Sequence, residues 1–114
     1  MYKQMEIWWV DLEPSVGAET NKKRPCVILQ SDDVNIQSKT VIVAPILPGH
    51  KDWPFVVNIV PTKLNKLDKD RNINLKYMRG VDVSRISNKQ GKIDGVYFAD
   101  IERALSIVFD LQGT

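Results

Sequence analysis

The chain has 114 residues, 43% of them hydrophobic and 26% charged, with a formal net charge of +2. This is the balance of an ordinary soluble globular protein, and the length fits one compact domain over residues 1–114 with no room for a second. One cysteine, Cys26, excludes an internal disulfide framework, no run approaches the roughly 20 apolar residues that span a bilayer, and the opening MYKQMEIWWV lacks a secretory cleavage site, so a reducing cytoplasmic setting is expected.

In chain order, EIWWVDL (6–12) reads as a first strand, rich in aromatic and β-branched residues and closed by the turn residues Pro14 and Gly17. Trp8 and Trp9 alternate in direction, so one is expected in the core and the other toward a helix or a partner chain, both as packing groups. PCVILQ (25–30) is the second strand, with Pro25 tolerated because it opens the strand. SDDVNIQSK then reads as a polar loop, and TVIVAPIL (40–47) as a third strand ended by Pro48-Gly49. FVVNIV (55–60) is a fourth and INLKYM (73–78) a fifth, each alternating between faces. VDVSRIS (81–87) suggests a short helix or turn. In the last stretch Phe98, Ile101, Leu105, Val108 and Leu111 recur at steps of three or four, the pattern of one amphipathic helix, with Asp94 as its expected cap and Gly113 as its expected end. Five short strands and one helix predict a mainly β fold, a small, bent antiparallel barrel closed by the C-terminal helix.

Several chemistries are excluded. There is no glycine-rich phosphate loop, and one Cys with one His cannot build a usual zinc site within one chain. No serine sits in a nucleophile-like setting for His50 to activate, so no cofactor or metal is expected. Cleavage of an RNA phosphodiester needs less. The 2′-hydroxyl is the nucleophile, and the protein supplies cations for the phosphorane and a group that moves a proton. Two basic clusters could serve: Lys22-Lys23-Arg24 at the entrance of the second strand, and Lys63, Lys66, Lys69 and Arg71, diluted by Asp68 and Asp70. Arg24 is the leading candidate because a guanidinium offers forked, permanently charged donors to phosphate oxygens and Pro25 stiffens the chain directly behind it. From spacing alone, a solvated strand edge is the competing reading.

EIWWVDLEPSVGAETNKKRPCVILQSDDVN resembles the N-terminal signature of the MazF/PemK/Kid toxin endoribonucleases: a strand ending in D-L-x-P, then Gly17-Ala18-Glu19, then Arg24-Pro25-Cys26-Val27-Ile28. TVIVAPI, WPFVV, MRGVDVSRI and the helix IERALSIVFDL follow in the family's order, so the likeness covers nearly the whole chain. It implies an SH3-like barrel of the CcdB/MazF type that forms a homodimer. The implied activity is metal-free, sequence-specific cleavage of single-stranded RNA to a 2′,3′-cyclic phosphate and a 5′-hydroxyl, neutralised by a cognate antitoxin. Arg24 falls on the family's catalytic arginine.

The chain also departs from the family pattern. Leu47 stands where many members carry a hydroxyl, and Asn74 and Lys76 stand where some carry an arginine and an aspartate. Lys76 is a candidate for stabilising the phosphorane or donating a proton, or is a plain surface lysine. His50 is the natural proton-transfer candidate by residue type, or a solvent-exposed loop histidine. Lys51 and Trp53 share its loop and offer a cation and a stacking surface for a base, although Trp53 could equally pack on the barrel. Asn21, Lys22 and Lys23 would follow the RNA backbone. Glu19 would meet a base edge or brace the Arg24 loop. Arg79 and Asp82 read as structural, and Cys26 as a small core residue. Two other readings stay open: a CcdB-like gyrase-binding toxin, disfavoured because the chain ends LQGT without the expected Trp-Gly-Ile, and a degenerate member that only binds RNA or antitoxin.

Overall fold

The structure, a computed structural model, describes residues 2–12, 23–35 and 39–111. Strands β1 (Glu6–Asp11), β2 (Lys23–Ile28), β3 (Thr40–Pro48), β4 (Val56–Ile59), β5 (Arg71–Asn74), β6 (Arg79–Asp82) and β7 (Ile86–Lys92) form one antiparallel sheet in the order β4-β5-β3-β2-β1-β7. β6 pairs with β3 off that path.

β3 organises the bend. One edge pairs with β2, Cys26 facing Pro45 and Ile28 facing Val43. The other edge serves β6 from Thr40 to Val43 and then β5 from Ile46 to Pro48. Pro45 falls at the changeover, where a residue without an N–H leaves the least unpaired. Each strand is too short to cover a core alone, and curvature lets one sheet enclose it from several sides.

Side-chain alternation produces two apolar faces. On the inner face Ile7, Val27, Ala44, Ile46, Ile59 and Ile73 pack with Ile101 and Ala104 of helix α2 (Phe98–Val108). On the outer face Val10, Cys26, Ile28, Val41, Val43, Val81 and Ile86 form a second cluster, against which Tyr2, Trp8 and Leu12 pack.

The mainly β fold closed by a C-terminal helix is as expected, with corrections in the elements. The 31–39 stretch is not all loop: Asp32–Asn35 forms a one-turn helix, α1. The fifth strand ends at Asn74, whose side chain accepts from the Lys76 N–H and turns Leu75–Tyr77 into a 3-10 segment. VDVSRIS holds the expected short turn, a 3-10 segment at Val83–Arg85, set between the end of β6 and the start of β7. β7 itself was not anticipated, since SNKQGK carries no alternation: only Ile86 and Gly91 are buried along it. Backbone pairing to β1 makes it a strand, with register shifts on both sides of Trp8. Asp94 does not cap the helix with its side chain. Its carboxylate instead accepts from Thr62 Oγ1 at 2.8 Å and Asn65 Nδ2 at 2.9 Å, locking the 61–70 loop to the helix entrance. Gly113 lies outside the described residues.

Candidate nucleic-acid interface

Alternation along β2 sends Arg24 to the outer face with Cys26, and Lys23 and Pro25 to the inner face with Val27. The positive charges of Arg24 and Arg79 both act on the buried Cys26 thiol, although burial outweighs them and pushes that thiol up to about 12. Arg24 is opposite Val10 in β1, and Lys23 is opposite Asp11. The end of β1 is tethered by two other arginines: Arg79 donates to the Leu12 carbonyl at 3.2 Å and Arg85 to the Asp11 carbonyl at 3.4 Å. Arg79 and Asp82 are structural, as expected. Asp82 is held below the usual carboxylate range, chiefly by the Ser84 backbone N–H at 2.8 Å.

The outer face continues beyond Arg24. The β2–β3 register, extended by two residues, brings Arg24 level with Leu47. Leu47 is paired with Asn72, and Asn72 with Asn58. Asn72 is 1% exposed, and its Nδ2 donates to the carbonyls of Leu47, Pro48 and Gly49 at 3.3, 3.2 and 2.8 Å. Its Oδ1 is buried with no hydrogen-bond partner. Asn58 grips Lys51 from both sides, accepting from its N–H at 3.0 Å and donating to its carbonyl at 2.8 Å. These two amides fold the 49–54 loop back over the same sheet face that carries Arg24.

The loop and the segment after β5 form an alternating stack. Lys51 Nζ is 5.5 Å from the Trp53 ring. Trp53 stacks on Phe55 at 5.4 Å between centroids and 26° between planes, and Lys76 Nζ is 5.6 Å from the Phe55 ring. Each cation is within the range of a cation–π contact. Trp53 keeps 48% of its surface exposed, so it is not a barrel-packing residue. His50 is bound through Nε2 to Asp52 Oδ1 at 2.7 Å, both side chains exposed. The structure thus gathers His50, Lys51, Trp53 and Lys76 around one loop, with β3 between them and the strand of Lys23 and Arg24. Glu19, Asn21 and Lys22 lie outside the described residues.

Sequence reasoning missed a second feature, a cavity of about 330 Å³ bordered by Trp9, Lys23, Arg24, Lys66, Asp68, Arg71 and Gln90 among others. Two signals pointed toward it. The second basic cluster contains Lys66 and Arg71, and Trp9, the tryptophan that alternates away from the Trp8 cluster, is 37% exposed in the single chain. Arg71 donates to both Asp68 carboxylate oxygens, at 2.9 and 3.3 Å. That hydrogen bond holds the Asp68 carboxyl below its usual range. Among the described residues no three His, Cys, Asp or Glu side chains meet as a metal-holding group.

The family model of the PemK-like, MazF-like toxin of type II toxin-antitoxin systems matches residues 3–109. The chain belongs to this family. It is 33% identical over 112 residues to the endoribonuclease MazF of Staphylococcus epidermidis, covering 97% of this chain and 93% of that protein. It is 28% identical over 117 residues to the endoribonuclease MazF9 of Mycobacterium tuberculosis, covering 97% and 98%. The fold matches a mycobacterial endoribonuclease solved in complex with its cognate antitoxin, with a TM-score of 0.80 at 14% identity and 97% of each chain covered. At that identity the match speaks for the fold. This chain presents its Arg-Pro step on an outer sheet face level with Leu47, which pairs with Asn72, and Asn72 and Asn58 anchor the aromatic-cationic loop.

Proposed function

We propose that the protein is a toxin endoribonuclease that cuts single-stranded RNA at a short sequence without a metal. The 2′-hydroxyl attacks the adjacent phosphorus, the P–O5′ bond breaks, and the products carry a 2′,3′-cyclic phosphate and a 5′-hydroxyl. The observation that carries this reading is the position of Arg24. It sits on a rigid, paired strand of a chain that belongs to the PemK/MazF toxin family, on the face over which the His50–Trp53 loop is folded. In this reading the Arg24 guanidinium neutralises the equatorial oxygens of the phosphorane. Lys76 adds positive charge, and His50 moves the proton to the departing 5′-oxygen. Lys51 and Trp53 hold a base and its phosphate, while Glu19, Asn21, Lys22 and Lys23 guide the strand toward Arg24. A cognate antitoxin, such as accompanies the mycobacterial relative, would neutralise the toxin by covering this face, and the active unit would be a homodimer.

One observation favours a second reading. Leu47, level with Arg24, supplies no hydrogen-bond donor, which suits a member that binds RNA or antitoxin without cutting. A long single-stranded RNA incubated with the protein in EDTA, with its ends mapped, separates the two. Cuts at one short motif with cyclic phosphate ends, reduced about 10²–10³-fold by Arg24→Ala, are the expected result. Intact RNA that still co-purifies with the protein would support the binding-only reading. Intact RNA with stalled gyrase on DNA would place the chain with protein-directed toxins instead.

A further inference from the structure

The cavity opens on the inner-face side of β1 and β2, and Arg24 borders it from a strand whose alternation sends the Arg24 side chain toward the other face. Trp9, Lys23 and Pro25 alternate to this side, and Arg71 does likewise, out of phase with the buried Asn72. We infer that this cavity is a second nucleotide subsite, which takes one phosphorylated nucleoside of a single-stranded RNA with its base on Trp9 and its phosphate on Lys66 and Arg71. It rests on the reading of the protein as an RNA-cutting toxin, and it concerns a nucleotide other than the pair flanking the cut.

Four features support it. Its volume of about 330 Å³ falls at the small end of ligand pockets, enough for one nucleotide. Trp9 is 37% exposed beside Lys23, and a base can stack on its indole whatever the base's identity. Arg71 is pre-set rather than free to swing: its side chain is 19% exposed and Nη2 is tied to Asp68, which leaves the rest of the fork for phosphate oxygens. Lys66 is the most telling. It holds φ at 57°, a left-handed conformation that a lysine adopts at a cost. The surrounding bonds enforce it: its N–H donates to the Thr62 carbonyl at 2.9 Å, and Gln90 Nε2 donates to the carbonyls of Asn65 and Lys66 at 3.2 and 3.3 Å. Backbone strain maintained by such a network places a side chain where a relaxed chain would not. An acidic peptide fits less well, because it brings no planar base to lay on the exposed Trp9.

The test uses a fluorescein-labelled, fully 2′-O-methylated 12-nucleotide RNA of mixed sequence, which the protein cannot cut, with adenosine 5′-monophosphate and inorganic phosphate as separate probes. Lys66→Gln, Arg71→Lys and Trp9→Leu are each expected to weaken 12-mer binding at least fivefold. Lys39→Ala, which removes an exposed charge elsewhere, should change it less than twofold. If the monophosphate also binds and loses affinity in the same variants, the subsite accepts free nucleotides as well; binding of the 12-mer alone assigns it to the RNA chain. On a cleavable RNA, Lys66→Gln should raise KM at unchanged kcat, whereas Arg24→Ala should depress kcat. Loss of the KM effect alone would overturn the subsite and leave the toxin reading standing. Loss of the Arg24 effect with the binding defects retained would overturn the catalytic reading and leave the subsite. Twelve-mer affinities in all three variants equal to that of Lys39→Ala, with thermal unfolding unchanged, would also overturn the subsite. So would a Glu- and Asp-rich peptide that displaces nothing from the RNA yet depends on the same residues.

Discussion

At the scale of single residues, neighbouring side chains in the sequence have opposite surroundings. Cys26 is fully buried one residue past Pro25, and burial lifts its thiol to about 12 against the opposing charges of Arg24 and Arg79. A group whose folded pKa is raised stabilises the fold in its protonated form below the unfolded value, and that contribution is lost as pH rises through the folded value. Cys26 therefore adds an alkaline limb of destabilisation that begins near pH 9 and is complete near pH 12. Denaturant midpoints between pH 8 and 11 should fall more steeply in the wild type than in Cys26→Ala; parallel curves would show that the thiol is not shielded. Arg24 was legible in the sequence because a strand-opening Arg-Pro step is a local feature. The grouping of Trp9, Lys66 and Arg71 was not. They are distant in the chain, and only the pairing of β1 with β2 and the placement of the 61–70 loop bring them to one cavity.

At the scale of elements, the strands with clear alternation and the helix with 3.6-residue periodicity could be read directly, while β6 and β7 could not. Their hydrogen bonds go to β3 and β1, and their side chains carry little of the core. The 61–70 loop was equally opaque, yet it is densely hydrogen-bonded. Asn65 is fully buried: its Oδ1 accepts from the N–H groups of Thr62 and Leu67, both at 3.0 Å, and its Nδ2 donates to the Val60 carbonyl at 3.0 Å and to Asp94. Gly91 packs so closely beneath the loop that a Cβ there would run into the Leu64 carbonyl. Asn65→Ala strands two N–H donors and takes a donor from the Val60 carbonyl and from Asp94, and at about 1–3 kcal/mol for each buried group left unpaired it should cost roughly 3 kcal/mol or more. Denaturant unfolding measures that loss. The role of Asp94 as a loop anchor rather than a helix cap has its own check. A double-mutant cycle of Thr62→Val and Asp94→Ala should show a coupling of about 1 kcal/mol, whereas additive costs would return Asp94 to the helix terminus.

For the whole molecule, charge distribution matters more than charge total. A net charge of +2 gives too weak a field to hold RNA by itself, so binding must come from cations that the sheet places on particular faces. Arg24 and the Lys51–Lys76 stack are the cations of the proposed outer-face site, and Lys23, Lys66 and Arg71 those bordering the cavity. Each cation that meets a phosphate releases condensed counterions, and for single strands the logarithm of affinity falls with the logarithm of salt by about 0.7 per contact. Two separated sites on one RNA strand would therefore add their slopes. With the uncleavable 12-mer, Lys66→Gln together with Arg71→Ala should flatten the salt dependence by about 1.4, twice that per-contact value. Arg24→Ala should flatten it by about 0.7. A Lys39→Ala control, which removes the same charge from a surface away from both sites, should shift affinity slightly at every salt concentration and leave the slope unchanged. If Lys39→Ala flattened the slope as much as Arg24→Ala, the RNA would be reading the overall charge of the molecule. Flattening in both Arg24→Ala and the Lys66→Gln, Arg71→Ala pair, with none in Lys39→Ala, means that the sheet's two faces divide the strand between them.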